Sequence, residues 1–277
     1  MNHFEQSADG LLQLMQSRRS VRSYDGQALS ETHLQALSQF MQSVENPFGI
    51  PVRFKWLRGG QAQLPCPVVS GCEVYVGGAV QRCEGFELAY GYSFERLVLF
   101  AQSLGIGTVW IGGTFTRDAF QQQMQLAEGE LMPCATPLGY AAEKMSLKET
   151  LMRKAISADT RLDEKQLFFE GSFSTPLDMA AAGDLAAVLQ AVRCAPSAVN
   201  RQPWRLLVCG DTVHFYRTGK AHVSQAAGDM QLIDMGIALC HFMMAAAAAG
   251  MQPQLLCEAQ PPEADGLRYV ISCRICK

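Results

Sequence analysis

Two segments constrain this fold more than any other part of the chain: GYSFERLVLFAQSLGIG (91–107) and GIALCHFMMAAAAAGMQ (236–252). Both are long and apolar on nearly every face, and each carries a glycine fourteen residues after its first. A helix apolar all round must be enclosed by other elements, so each segment predicts a buried central helix. Gly105 and Gly250 stand where a helix C-terminus takes a left-handed residue. A strand follows each cap, TVWIGG at 108–113 and PQLLCEA at 253–259. The approaches to the helices also match. LQALSQFMQ (34–42) and LAAVLQAVR (185–193) space apolar residues at helical intervals. SVENPFGIPVRFKWL (43–57) and CAPSAVNRQPWRLLV (194–208) are each a proline-bearing loop running into an apolar strand. Order and spacing agree throughout, which predicts two similar α+β halves, residues 1–155 and 156–277. No Pro/Gly/Ser-rich spacer separates them. The expected architecture is an intramolecular pseudo-dimer with the two long helices at its centre.

The 277 residues carry a net charge of −3 and no basic block or tail, so neither a nucleic-acid nor an anionic-membrane partner is expected. The start, MNHFEQSADG, lacks the basic and apolar regions of a secretory leader. Ten cysteines scattered in apolar surroundings read as reduced thiols of a cytoplasmic protein. Cys273 and Cys276 form a lone C-x-x-C, a weak signal read here as two small residues on a final strand. The apolar run around 235–251 is too short for a membrane span, and His241 within it is expected to be neutral, buried and bonded to backbone. No ligand spacing suggests a metal.

Against this background RRSVRSYDG (18–26) stands out, with three arginines in five positions. Aligned across the repeat, Arg18, Arg19, Ser20 and Arg22 fall opposite Gln166, Leu167, Phe168 and Glu170, so the second half has no basic cluster there. Conversely the second half has Pro196, Ser197, Asn200, Gln202, Pro203 and Trp204, where the first has Glu45, Asn46, Gly49, Pro51, Val52 and Arg53. Each half keeps one piece, and a pseudo-dimer could bring both to one interface site. Arginine forks bind phosphate, and a stiff Ser/Asn loop can hydrogen-bond a heteroaromatic ring or a ribityl chain. The competing reading of the arginines is a solvated helix end, and of the loop an ordinary strand entry with Trp204 as core.

The segments RRSVRSYDG, APSAVNRQPWRLLV, AQSLGIGTVWIGG and PCATPLGYAAEK together resemble the nitroreductase family of FMN-dependent oxidoreductases. The tandem arrangement resembles a branch with two fused halves. Family members place FMN at a subunit interface, with the basic motif from one subunit and the Ser/Asn loop from the other. The resemblance implies that Arg18, Arg19, Ser20, Arg22, Pro196, Ser197, Asn200 and Gln202 bind the cofactor. Gly112 and Gly113 match the turn that approaches flavin N5, and Gly139 the glycine of the last core strand. Arg161 matches one of a basic pair near the phosphate, but Asp159 stands where the other would be. One FMN per chain is implied, with NAD(P)H as electron donor, ping-pong turnover, and a nitroarene or quinone as the small-molecule acceptor. The protein would work as a monomer, because the dimer interface is internal. No side chain is nominated as an acid, base or nucleophile. Phe48, Tyr90, Tyr92 and Phe94 shape the acceptor pocket or fill the core. Two alternatives stand beside this reading. One is a flavin-binding protein without reductase activity. The other is another FMN reaction, dehalogenation or dehydrogenation, for which a lid longer than the 58–72 insertion would be expected.

Overall fold

The computed structural model describes residues 7–220 and 223–276. The chain runs α1 (Ala8–Ser17), α2 (Glu31–Ser43), β1 (Val52–Arg58), α3 (Gly60–Gln63), β2 (Val74–Gln81), α4 (Phe86–Ser103), α5 (Arg117–Met124), β3 (Glu130–Leu131), β4 (Ala135–Pro137) and α6 (Leu147–Ala155). It continues with α7 (Glu164–Leu167), β5 (Phe168–Glu170), β6 (Ser172–Pro176), α8 (Asp184–Cys194), a 3-10 turn at Ala198–Asn200, β7 (Trp204–Cys209) and β8 (Thr212–Arg217). The last elements are β9 (Val223–Ser224), β10 (Gly228–Asp229), α9 (Met230–Ala248), β11 (Gln252–Leu256) and β12 (Arg268–Cys276).

α4 and α9 pack on each other at the centre of the molecule, as their all-round apolar character requires. α9 is, among the described residues, the one helix long and apolar enough to cross a membrane, and most of it is buried inside the protein. Both helices end in the same cap. Gly105 (φ 73°) and Gly250 (φ 78°) are left-handed, and the next residue donates back into the last turn, Ile106 N to Ala101 O at 2.9 Å and Met251 N to Ala246 O at 3.0 Å. Where the helices cross, the aligned glycines Gly91 and Gly236 face each other. A Cβ on Gly91 would lie 2.1 Å from Ile233 O, and one on Gly236 would lie 2.3 Å from Leu88 O. Residue 233 corresponds to 88 as 236 does to 91, so the contact is reciprocal. That is the signature of an isologous interface, here within one chain.

The two larger sheets repeat the same order. β7, β8, β12 and β11 are successive antiparallel neighbours in one. In the other, β1 pairs with β2 and β2 with β4. The segment 107–111 then joins beyond β4 through the bridges Gly107–Gly139 and Ile111–Ala135. Ser20 extends that sheet further, pairing with Thr108. Here the structure corrects the alignment of 18–26 with 166–174. Phe168 pairs in parallel with Leu206 on β7, at the opposite edge of its sheet, and Leu167 and Phe168 are fully buried. Two apolar side chains found a core site on β7, while β11, the counterpart of 107–111, stays the edge of its sheet. α1, which delivers the arginines, lies on α8 and α9 of the second half.

Candidate functional site

The arginine segment leaves α1 with Arg18, whose backbone N–H still closes the helix on Leu14 O. It then runs extended beside 107–111, with Val21 N donating to Thr108 O at 2.9 Å. Residues on alternate sides of such a segment separate, so Arg18, Ser20 and Arg22 turn one way. All three line a cavity of about 460 Å³. Arg19 turns the other way: its side chain is 42 % exposed, and Nη1 lies 3.9 Å from Glu149 Oε1. Arg19 is therefore not brought to the cavity.

From the second half the cavity receives Arg161, Pro196, Ser197 and Asn200, and from the turn after Ile111 it receives Gly112 and Gly113. The two pieces kept by different halves thus share one cleft. Gly112 sits tightly against Met230 and Cys134, whereas a Cβ on Gly113 would meet open space. Arg117 donates to the carbonyls of Gly112 and Met132 and so braces the turn from behind. Gly139 does not reach the cavity; its missing side chain makes room for the Tyr24 ring.

The loop side chains are used differently from the sequence expectation. Ser197 Oγ accepts from Gln202 N at 2.8 Å, leaving its hydroxyl proton for another partner. Asn200 spends its amide N–H groups on Ser157 O (2.7 Å) and Thr160 O (2.9 Å), so it fastens the loop to segment 157–160. Gln202 is buried behind the loop and accepts from Leu162 N at 2.9 Å, without lining the cavity. Val199, Asn200 and Gln202 are all left-handed, and Val199, a β-branched residue at φ 46°, is a conformational outlier.

Of the two readings open for the aromatic residues, pocket wall or core, the structure shows the core. Tyr90 and Phe94 are fully buried, Tyr90 Oη donates to Cys134 O at 2.7 Å, and Tyr92 and Phe48 pack into the same core. Trp110 lines the cavity instead, its indole N–H held at 2.8 Å by the buried carboxylate of Glu95. Glu95 also meets His241 Nε2 at 3.0 Å, and His241 Nδ1 donates to Ala191 O at 2.8 Å. His241 is thus bonded to backbone as expected, with a carboxylate partner in addition. Cys273 and Cys276 lie on β12, and among the described residues no group of His, Cys, Asp or Glu is arranged to hold a metal.

Charge in the cavity comes from arginine. Burial pulls the guanidinium pKa of Arg18, Arg22 and Arg161 below its ordinary value; Glu95 opposes this at Arg18 and Glu149 at Arg22. Three buried N–H groups, Arg18 Nε, Arg22 Nη1 and Arg161 Nε, have no hydrogen-bond partner. Buried donors without partners are rare and costly, so they mark where an anionic ligand would sit. A fourth arginine was missed in the sequence: Arg153 on α6 donates to Ser20 O at 3.3 Å and is paired to Asp159. Asp159 is the residue that broke the expected basic pair after the core strand. Its partner, Arg153, comes from α6, six residues earlier in the chain. The apolar walls are Val109, Ile111, Met152, Ile156 and the α9 residues Met230, Ile233 and Ile237. One acid, Asp234, interrupts the α9 stripe.

The family described as "Putative TM nitroreductase" matches residues 10–246. The chain belongs to that family. As a nitroreductase-family protein it is an oxidoreductase by kinship. A nitroreductase structure from Thermotoga maritima aligns with 99 % of this chain and 95 % of its own, at 16 % identity and a TM-score of 0.60. That single chain therefore spans both halves. An NADH dehydrogenase/NAD(P)H nitroreductase structure from Bacteroides thetaiotaomicron aligns over 57 % of this chain and 95 % of its own, with 19 % identity and a TM-score of 0.45. A nitroreductase with bound FMN from Desulfitobacterium hafniense covers 49 % of this chain and 90 % of its own, with 16 % identity and a TM-score of 0.43. No curated protein matches the chain.

Proposed function

We propose that this protein is an FMN-dependent NAD(P)H oxidoreductase that reduces small electron-poor acceptors, nitroarenes or quinones, in a ping-pong cycle. One observation carries the reading: arginines from both halves, each with an unpartnered buried N–H, line a cavity whose remaining walls are mostly apolar. That donor set suits a phosphate attached to a planar, largely apolar body. Arg18, Arg22 and Arg161 would hold the phosphate, with Arg153 behind Ser20. The Ser197 hydroxyl and the backbone at Gly112–Gly113 would meet the polar atoms of the ring and its chain. Bound FMN would supply the redox chemistry, accepting hydride from the nicotinamide and returning electrons to the acceptor. The protein's part is to bind, orient and exclude water; donor and acceptor would use the open side of the cavity in turn.

One FMN per chain follows from the asymmetry of the halves. On the mirror side the Asn46 amide is committed to Ile50 O and Ser93 Oγ, and among the described residues β11, the counterpart of 107–111, is an edge strand whose open side no arginine-bearing segment joins. A functional monomer belongs to the same proposal. So does cytoplasmic residence, supported by ten free cysteines.

The test is optical. Purified protein, loaded with FMN where necessary, should be yellow, bleach anaerobically with NADH or NADPH, and recolour with a nitroarene or quinone. Yellow protein inert to both nicotinamides would point to a flavin-binding role alone. Protein that cannot be loaded with FMN would remove the flavin reading altogether.

A further inference from the structure

The stripe that α9 turns to the cavity consists of Met230, Ile233, Asp234 and Ile237, spaced as one helical face. Three of these are apolar and the fourth is a carboxyl group only 3 % exposed. Among the described residues Asp234 makes one hydrogen bond: Oδ1 accepts from Ala198 N at 3.0 Å, in the turn that follows Ser197. Its other oxygen has no partner among the described residues. No arginine of the cavity reaches it.

We propose that Asp234 recognises the cavity's heteroaromatic occupant, donating its carboxyl O–H to a ring acceptor while Oδ1 stays on the Ala198 N–H. This inference rests on the flavin reading above and adds a selectivity to it. An unpaired carboxylate in an apolar wall is costly to bury, which favours the neutral acid as the resident form. The surroundings agree. Burial pushes the Asp234 carboxyl up to about 8, against the Ala198 N–H and Arg201, which lower it, and with Asp229, which raises it. Asp229 itself is occupied by Arg217, 2.7 Å away, and its N–H meets Glu87 Oε1 of α4. Cys134, across the cavity, is held as a neutral thiol by burial, which pushes it up to about 12. Arg201 is exposed and lies outside the cavity.

The experiment is FMN binding to the apoprotein, followed by quenching of flavin fluorescence from about pH 7 to about pH 9.5, above the second ionisation of the phosphate. Wild type should bind more weakly as pH rises past the titration of Asp234, approaching about tenfold in Kd per pH unit. Asp234→Asn keeps the acceptor for Ala198 and a donor for the ring, so it should bind like wild type at low pH and lose the break. Arg201→Gln, an exposed change that leaves the core intact, should move the wild-type break to higher pH. Ionisation of the flavin ring is common to all three proteins and cancels in the comparison. Wild type and Asp234→Asn sharing one pH profile would overturn this inference and leave the flavin reading standing. Affinity that tightens with pH would make Asp234 an acceptor and overturn it too. Wild type that fails to bind FMN at every pH would take down both readings together.

Discussion

At the scale of single residues, the cavity is built at the expense of stability. Arg18 is 7 % exposed with an unpartnered Nε, and burial has already lowered its pKa. Burying such a group without its ligand is unfavourable, and replacing it with an apolar side chain of similar length removes that cost. Arg18→Met should therefore raise the stability of the ligand-free protein, by up to about 2 kcal/mol. It should also weaken FMN binding by roughly ten- to a hundredfold, the worth of a charge-assisted hydrogen bond. Denaturant unfolding and fluorescence titration read the two effects separately, and loss of stability in the apoprotein would contradict the argument. Asp234 acts on stability through protons. Its carboxyl titrates near 3.9 when unfolded and at about 8 when folded. Between those values the folded state holds a proton that the unfolded state has released. Its contribution is complete below about pH 4 and is lost as pH rises to about 8. The stability of Asp234→Asn relative to wild type should then grow with pH across that window, by at most about 1.4 kcal/mol per unit. Unfolding curves for both proteins at a series of pH values would show it; a constant difference would place the titration elsewhere. Neither residue's role is a matter of type alone. Arg18 stood out because three arginines crowd one stretch, whereas Asp234 is a single acid in an apolar run and becomes notable only when its helix face is known.

Elements obey the repeat more faithfully than residues do. Gly91 and Gly236 each let one central helix approach the backbone of the other, and each would place a Cβ within 2.3 Å of a carbonyl oxygen. Such a clash against backbone cannot be relieved by a rotamer change. Gly91→Ala and Gly236→Ala should each cost roughly 3 kcal/mol or more, and by similar amounts because the contact is reciprocal. Thermal or denaturant unfolding checks this, and a variant within about 1 kcal/mol of wild type would show that the helices do not cross here. The crossing was legible in sequence because helix burial, glycine spacing and capping are local signals that the repeat states twice. The central helices, their caps and the strands leading into them were all readable on that basis. Strand partnership was not. Residues 166–174 resemble 18–26 in length and position, yet they join β7 because Leu167 and Phe168 can enter the core there. The same limit hid Arg153, whose approach to Ser20 depends on where α6 packs. It also left Tyr90 and Phe94 open between pocket wall and core, because helical spacing fits both equally well.

For the whole molecule, the two halves repeat each other in sequence pattern and do not form independent cores. α4 and α9 cover each other, and α1 from the start of the chain lies on α8 and α9. A half excised from this arrangement would expose the apolar faces of its central helix, a surface too large to leave wet. The chain should therefore unfold in one cooperative transition observed alike by tryptophan fluorescence and by helical circular dichroism. Trp56 and Trp110 report on the first half and Trp204 on the second. The cofactor site adds a sharper form of the same argument, because its arginines are drawn from both halves. FMN bound at a hundred times its Kd should shift the entire transition by about 2.7 kcal/mol. A site confined to one half would shift only that half's melting. Titration should saturate at one FMN per chain, since on the mirror side the Asn46 amide is already committed and, among the described residues, no arginine-bearing segment joins the open side of β11. Two separable transitions, one of them indifferent to FMN, would mean that the halves are stable apart and that the seam between them does not hold the ligand.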